Sequence, residues 1–314
     1  MKQQASKFKT TIGGQALIEG ILMRGPKKTA IVVRKPDGDF AIKEEAVGTV
    51  HRSKFSQLPL VRGVVGFWDS MKYGISALTY SADFFDDGSE AQEPGKFEAW
   101  LTRKFGAAKL DKILMGFALV MGIALPVGLF ILLPTLLAGL LPDQGGSSIL
   151  RNLLEGLVRI VIFLAFIIIT SKQSDIKRTY MYHGAEHKTI ACYEGGEELT
   201  VENVRRHSRF HPRCGTSFLF VVMIISILVF SLFTWSNPWL RMVLRLALLP
   251  VVVGISYEFN RWVGRHDNWF SMALRAPGLF LQRFTTYEPD DSMIEVAIEA
   301  INRVTPENKG EDRW

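Results

Sequence analysis

The sequence predicts an α-helical integral membrane protein with about four transmembrane helices, a small N-terminal β-containing cytoplasmic domain and amphipathic helices at the membrane interface. Three observations predict this. Long uncharged runs recur beyond residue 112, Lys and Arg avoid the short connections between those runs, and β-branched residues gather around Asp37-Gly38. The apolar fraction of 48% is ordinary for a globular protein, so it is concentration into runs that sets the class. A net charge of +6 over 314 residues argues against an acidic disordered chain.

Residues 1–60 read as the β-containing domain. The opening MKQQASKFKTTIGGQ is basic but no apolar stretch of secretory type follows it, so internal helices are expected to direct insertion. Within AIVVRKPDGDFAIKEEAV, apolar runs flank the turn dipeptide Asp37-Gly38, which predicts a hairpin. Residues 61–112 are expected to hold an amphipathic interfacial helix, with LPLVRGVVGFWDSMKYGISALTYSADFF as its core, and then the Gly- and Pro-containing acidic linker DDGSEAQEPG.

Residues 113–257 form the predicted four-helix membrane domain. Its first span, 113–141, carries no charge, and Pro126 and Pro134 are expected to kink it or break off its last turns. The second, 150–170, has Glu155 and Arg159 four apart on one face, where they can pair. The third, 217–235, is uncharged, and the fourth, 239–257, carries Arg241 and Arg245, expected to snorkel or to face the bundle interior. Residues 258–314 are expected to be a cytoplasmic and interfacial tail ending in a short amphipathic surface helix at 291–303.

Orientation follows from the Lys and Arg count. Residues 1–112 hold 18, the connection 171–216 holds 8 and residues 258–314 hold 7, whereas 142–148 and 236–238 hold none. Basic segments stay cytoplasmic, so both termini and the 171–216 loop are placed on the cytoplasmic side of the membrane. Thiols are kept reduced there, so Cys192 and Cys214 are expected to be free of a structural disulfide.

The 171–216 loop carries the chemistry. It holds four of the six histidines, His183, His187, His207 and His211, with Cys214 three residues after the last. In HGAEH the two histidines stand at i and i+4, so on a helix they share one face, as two ligands of one divalent metal must. Glu186 falls beside them, matching the pattern in which two histidines bind zinc and a glutamate activates water. Pro212 disfavours a helix at His211, which places the His207–His211 pair in a turn. Metal ligands His183, His187, His211 and Cys214 form an acceptable nitrogen and sulfur set for zinc; three of them plus water would be catalytic, and all four structural. A basic, aromatic lipid-headgroup surface around Arg205, Arg206, Arg209 and Arg213 is the plainer alternative.

Two other segments are candidates. TIGGQALIEGILMRGP lacks the order of a phosphate loop and reads as β-structure with tight turns, or as a strand delivering Glu19 or Arg24 to the centre. Glu258, where the fourth span meets the interface, is a helix-end or anchoring residue, or else a third ligand or base; His266-Asp267 reads as a solvated loop.

Three ordered strings, GGQALIEGILMRGP from Gly13, YHGAEHK from Tyr182 and HPRCGTSF from His211, resemble the signatures of the YqhQ-type bacterial membrane proteins, a family of unknown function once tagged as metal-dependent enzymes. The resemblance spans nearly the whole chain. It implies a multi-pass protein of the bacterial cytoplasmic (inner) membrane whose N-terminal segment and histidine loop form a single site.

The leading expectation is a cytoplasm-facing, membrane-embedded, zinc-dependent hydrolase. His183 and His187 would bind the metal, His211 or Cys214 would complete the shell, Glu186 would be the base, and Arg24 or Arg213 would hold an anionic substrate group. A membrane scaffold with a structural metal and a transporter using Glu155, Arg159, Arg241 and Arg245 are the rivals. Membrane lipids are the expected partners, with self-association open and no nucleic acid.

Overall fold

The computed structural model describes residues 8–47, 54–85, 96–140, 148–233, 238–266, 268–308 and 310–313. The expected linker at 86–95 and most of the short connection at 142–148 lie outside these residues. The chain is mostly helical, with one small antiparallel sheet near its start. Its residues cluster into two compact units: Met1–Phe85 with Phe166–Ser226 and Leu248–Trp314, and Asp86–Ala165 with Ile227–Ala247. Each unit gathers stretches far apart in the chain, whereas the divisions expected from the sequence were continuous.

In the first unit, strands β1 (Gly13–Leu17), β2 (Gly20–Arg24), β3 (Lys28–Arg34) and β4 (Phe40–Ala46) form a meander in that order. The expected hairpin is present: β3 and β4 pair from Lys28 opposite Ala46 to Arg34 opposite Phe40, and Gly38 takes the positive φ of +91° that the turn requires. The apolar residues of β2 and β3 alternate between two buried faces, which is why those strands read as continuous apolar runs. Ile21, Met23, Ala30 and Val32 face one core, while Leu22, Ile31 and Val33 face another that Ala77 of α1 (Val61–Ala82) closes.

The first of those cores is completed by α6 (Ser174–Gly195) and α11 (Asp291–Val304). The latter corrects the expected surface helix. It is amphipathic, but Met293, Ile294, Val296, Ala297, Ala300 and Ile301 are buried against the sheet and α6, so periodicity identified a buried face and the wrong cover for it. The expected His-rich loop is also largely helical. Its α6 ends at Gly196, in the left-handed region at φ 64°, whose N–H caps Cys192 and Tyr193 carbonyls. Thr200 then caps α7 (Val201–Arg206) by accepting from the Asn203 N–H.

Among the described residues, three helical stretches are long and apolar enough to cross a membrane: Gly116–Gly139, Asn152–Thr170 and Met242–Arg265. The remaining expected span is the shorter apolar helix α8 (Gly215–Ser231), 17 residues long. The prolines do not end the first stretch. After α3 (Ala107–Val127), which contains Pro126, the chain rewinds as a π-helical stretch at Gly128–Leu132 and continues as α4 (Leu133–Gly139). Pro134 lies in the first turn of that helix, where a missing N–H costs least.

In the second unit, Glu155 of α5 (Ser148–Thr170) is buried among apolar helices and meets the expected Arg159 at 3.2 Å. It also receives Arg245 of α9 (Pro238–Arg265) at 2.8 Å and the Thr135 hydroxyl at 2.9 Å. Arg245 therefore faces the interior, as buried charge requires a partner.

Candidate metal centre

Helix α6 carries His183, Glu186 and His187 into the first unit's interior. The histidines stand one turn apart, their ring centroids 4.4 Å from each other. Gly184, which weakens the helix locally, is needed for packing: a Cβ there would stand 2.0 Å from the Tyr287 carbonyl oxygen. That close approach lets the segment after α10 (Trp269–Thr285) lie against α6, with the Tyr287 N–H donating to the Tyr180 carbonyl at 2.9 Å.

Each histidine is oriented by a main-chain carbonyl. His183 Nδ1 lies 2.8 Å from Thr285 O and His187 Nδ1 lies 2.6 Å from Arg209 O. A carbonyl oxygen only accepts, so both rings hold a proton at Nδ1 and turn Nε2 to the site, which is how metal-ligating histidines are commonly held. Cys214, at the entry to α8, completes the trio with Sγ 3.2 Å from His183 Nε2. One ligand atom from each of His183, His187 and Cys214 lies within 4.8 Å of the others.

Electrostatics favour charge here. Burial pushes the Cys214 thiol up, yet the charges of His183 and His187 overcome it and hold the thiol well below its usual range. Burial likewise lowers His183, and the facing thiolate outweighs it, raising the imidazole to about 9. Glu186 is pushed up by burial, against the opposing charges of His187 and His183.

The three donors line a cavity of about 130 Å³ together with Glu186, His211, Arg213 and the stretch Thr10–Gly14. The N-terminal strand thus shares the site with α6. Its Gly14 N–H donates to Glu186 Oε1 at 3.0 Å. A second carboxylate, Glu194, ties the far wall: it accepts from the Thr10 N–H at 2.7 Å, pairs with Arg213 and faces His211 Nε2 at 3.7 Å. Burial raises Glu194, but the facing His211 ring and the Arg213 charge outweigh it and hold it below the usual carboxylate range.

Of the residues anticipated from the sequence, His183, Glu186, His187, Cys214 and Arg213 come together. His211 stands beside them, 5.5 Å from His187 between ring centroids, but outside the donor trio because its Nε2 faces Glu194. Its main chain is fixed by Gln282, which accepts from the His211 N–H and donates to the His211 carbonyl, both at 2.8 Å. As expected, His207 and His211 sit in irregular chain rather than a helix. His207 belongs to another cluster, with Cys192 and Glu197.

Arg24 is placed elsewhere: β2 carries its guanidinium over the Tyr73 ring, 5.2 Å from the centroid. Glu19 binds Arg178 and the Tyr182 hydroxyl instead of the centre. Glu258 is held by Arg62 at 2.6 Å, which satisfies it away from the trio. His266 caps back onto the Trp262 carbonyl at 2.8 Å. Sequence reasoning missed Glu194 and Gln282; for Glu194 a signal existed, since it lies seven residues after His187, two turns on along the same helix face.

The family described as "Protein of unknown function (DUF1385)" matches residues 58–307 of the chain. The chain is also similar to "Uncharacterized protein YqhQ" of Bacillus subtilis (strain 168), 32% identical over 303 residues that cover 95% of this chain and 93% of that protein. No solved structure matches.

Proposed function

We propose for this chain, which belongs to the DUF1385 family of proteins of unknown function, the role of a metal-dependent enzyme of hydrolase type, embedded in the bacterial cytoplasmic membrane with its centre toward the cytoplasm. The observation that carries this reading is the trio His183, His187 and Cys214 with buried Glu186 in the same cavity wall. Two imidazoles and a thiolate suit zinc, and three protein donors leave a fourth position open, as catalytic sites do. Bound by His183, His187 and Cys214, a divalent cation would supply Lewis-acid chemistry and lower the pKa of water.

The protein's own groups have separable tasks. Carbonyls of Thr285 and Arg209 fix the two rings. Glu186, whose buried carboxylate tends to take up a proton, is the base that removes a proton from the attacking water. Arg213, steadied by Glu194, offers a positive charge to an anionic substrate. The three apolar stretches support membrane embedding, and the Lys and Arg distribution supports cytoplasmic termini.

Glu186→Gln tests the assignment. It should keep the metal, measured by elemental analysis, while lowering hydrolysis of chromogenic phosphate and carboxylate esters by roughly 10²-fold or more. Unchanged turnover in that variant would contradict Glu186 as the base.

The 3.2 Å contact between Cys214 Sγ and His183 Nε2 favours one second reading, a thiolate nucleophile activated by imidazolium without a metal. Iodoacetamide separates the two: a free nucleophile is alkylated at Cys214 with or without added zinc, and a ligand is protected by zinc.

A further inference from the structure

Beside the metal cavity lies a larger pocket of about 400 Å³ whose wall is strongly basic. Arg62, Arg213, Arg261 and Arg265 line it, with Asn260 and Tyr257 between them. Thr11 and Arg213 line both this pocket and the donor cavity. Glu258 pairs with Arg62 and Glu194 with Arg213. Among the described residues these two carboxylates stand against four guanidinium groups in the pocket wall, so positive charge is in excess there. A wall with excess guanidinium and neutral hydrogen-bonding side chains suits a phosphate group, which takes several charge-assisted bonds at once.

The pocket's place in the fold bears on where such a group would come from. Tyr257, Asn260, Arg261 and Arg265 belong to the last turns of the apolar stretch Met242–Arg265. Close by in the chain, Trp262, Trp269 and Phe270 are exposed, the arrangement by which aromatic rings settle at headgroup depth. Arginines at that depth meet lipid phosphates.

We propose that this pocket binds the phosphate group of the substrate handled at the neighbouring centre, with a phosphate-bearing lipid as the source. The substrate assignment rests on the metal-centre reading; phosphate binding by the pocket does not. Arg213 is the shared wall through which an ester held by its phosphate would reach the cavity of His183, His187 and Cys214.

The test uses the detergent-purified full chain, with metal content measured on the same samples. Native mass spectrometry compares retention of dioleoyl phosphatidic acid with that of dioleoylglycerol, which has the same acyl chains and no phosphate, and calorimetry measures inorganic phosphate. The expected result is retention of phosphatidic acid over dioleoylglycerol by about tenfold or more, lost in Arg261→Ala/Arg265→Ala and largely kept in Arg261→Lys/Arg265→Lys. Inorganic phosphate binding with the same arginine dependence, and no gain from the lipid, would keep the phosphate pocket and overturn its lipid source. Equal retention of both lipids in wild type and alanine variant, with no phosphate binding, overturns the pocket. Metal bound without arginine-dependent phosphate binding sinks the pocket alone. Arginine-dependent binding in a chain that takes up no metal sinks the centre alone.

Discussion

The Gly14 N–H and the Glu186 carboxylate, 172 positions apart in the chain, meet at 3.0 Å. A strand of the N-terminal sheet thereby fixes the acid that stands between the two histidines. The contact is close because Gly14 has no side chain: a Cβ there would lie 2.7 Å from the Leu22 carbonyl and 3.0 Å from the Glu186 carboxyl carbon.

Gly14→Ala should therefore destabilise the protein by about 1–3 kcal/mol, the range for forcing a methyl into a packed site. Gly13→Ala, one residue earlier and with nothing within 4 Å of its Cβ, should fall within about 0.5 kcal/mol of wild type. Thermal unfolding in detergent compares them, and equal effects would show that the strand does not press on Glu186.

At Gly184 helix propensity and packing oppose each other. Propensity alone has Ala stabilising the helix by about 1 kcal/mol. The Tyr287 carbonyl, 2.0 Å from the added methyl and part of the backbone, reverses that sign. Gly184→Ala should lower the melting temperature and expose the 284–289 segment to proteolysis; a rise in melting temperature would refute the close packing.

Glu194 makes stability depend on pH. Its carboxyl is held below the ordinary 4.5 by its His211 and Arg213 contacts, which outweigh its burial. A depressed folded value gives stability that is present above 4.5 and lost as pH falls through the folded value. Glu194→Gln should lower stability at neutral pH and flatten its decline as the pH falls below 4.5, read from melting temperatures on both sides of that value.

Glu155 compensates both Arg159 and Arg245 in the second unit. Glu155→Ala takes from two buried cations the carboxylate they share and should cost about 3–5 kcal/mol. The triple replacement Glu155→Leu/Arg159→Met/Arg245→Met should recover most of that loss. If the single change is neutral instead, the cluster is solvated and not a buried ion network.

Much of this was legible in the sequence because it is local. The i, i+4 spacing of His183 and His187, the Asp37-Gly38 turn and the uncharged runs each follow from residues within a few positions of one another. What was not legible depends on chain-distant partners. The Thr285 and Arg209 carbonyls that orient the histidines are backbone atoms with no residue signature. Arg24 and Arg213 looked equivalent as anion holders, yet only the second reaches the cavity, because β2 carries Arg24 to Tyr73. The periodicity of α11 revealed a buried face but not the sheet that buries it.

The most direct measurement is the metal content and cobalt(II) spectrum of the detergent-purified full chain, compared with His183→Ala/His187→Ala and Cys214→Ser. The expected result is about one equivalent of transition metal in wild type, none in the double variant, and a thiolate-to-cobalt charge-transfer band that Cys214→Ser abolishes. No metal in wild type after reconstitution with zinc or cobalt, or binding that all the variants retain, would contradict a metal centre at these residues.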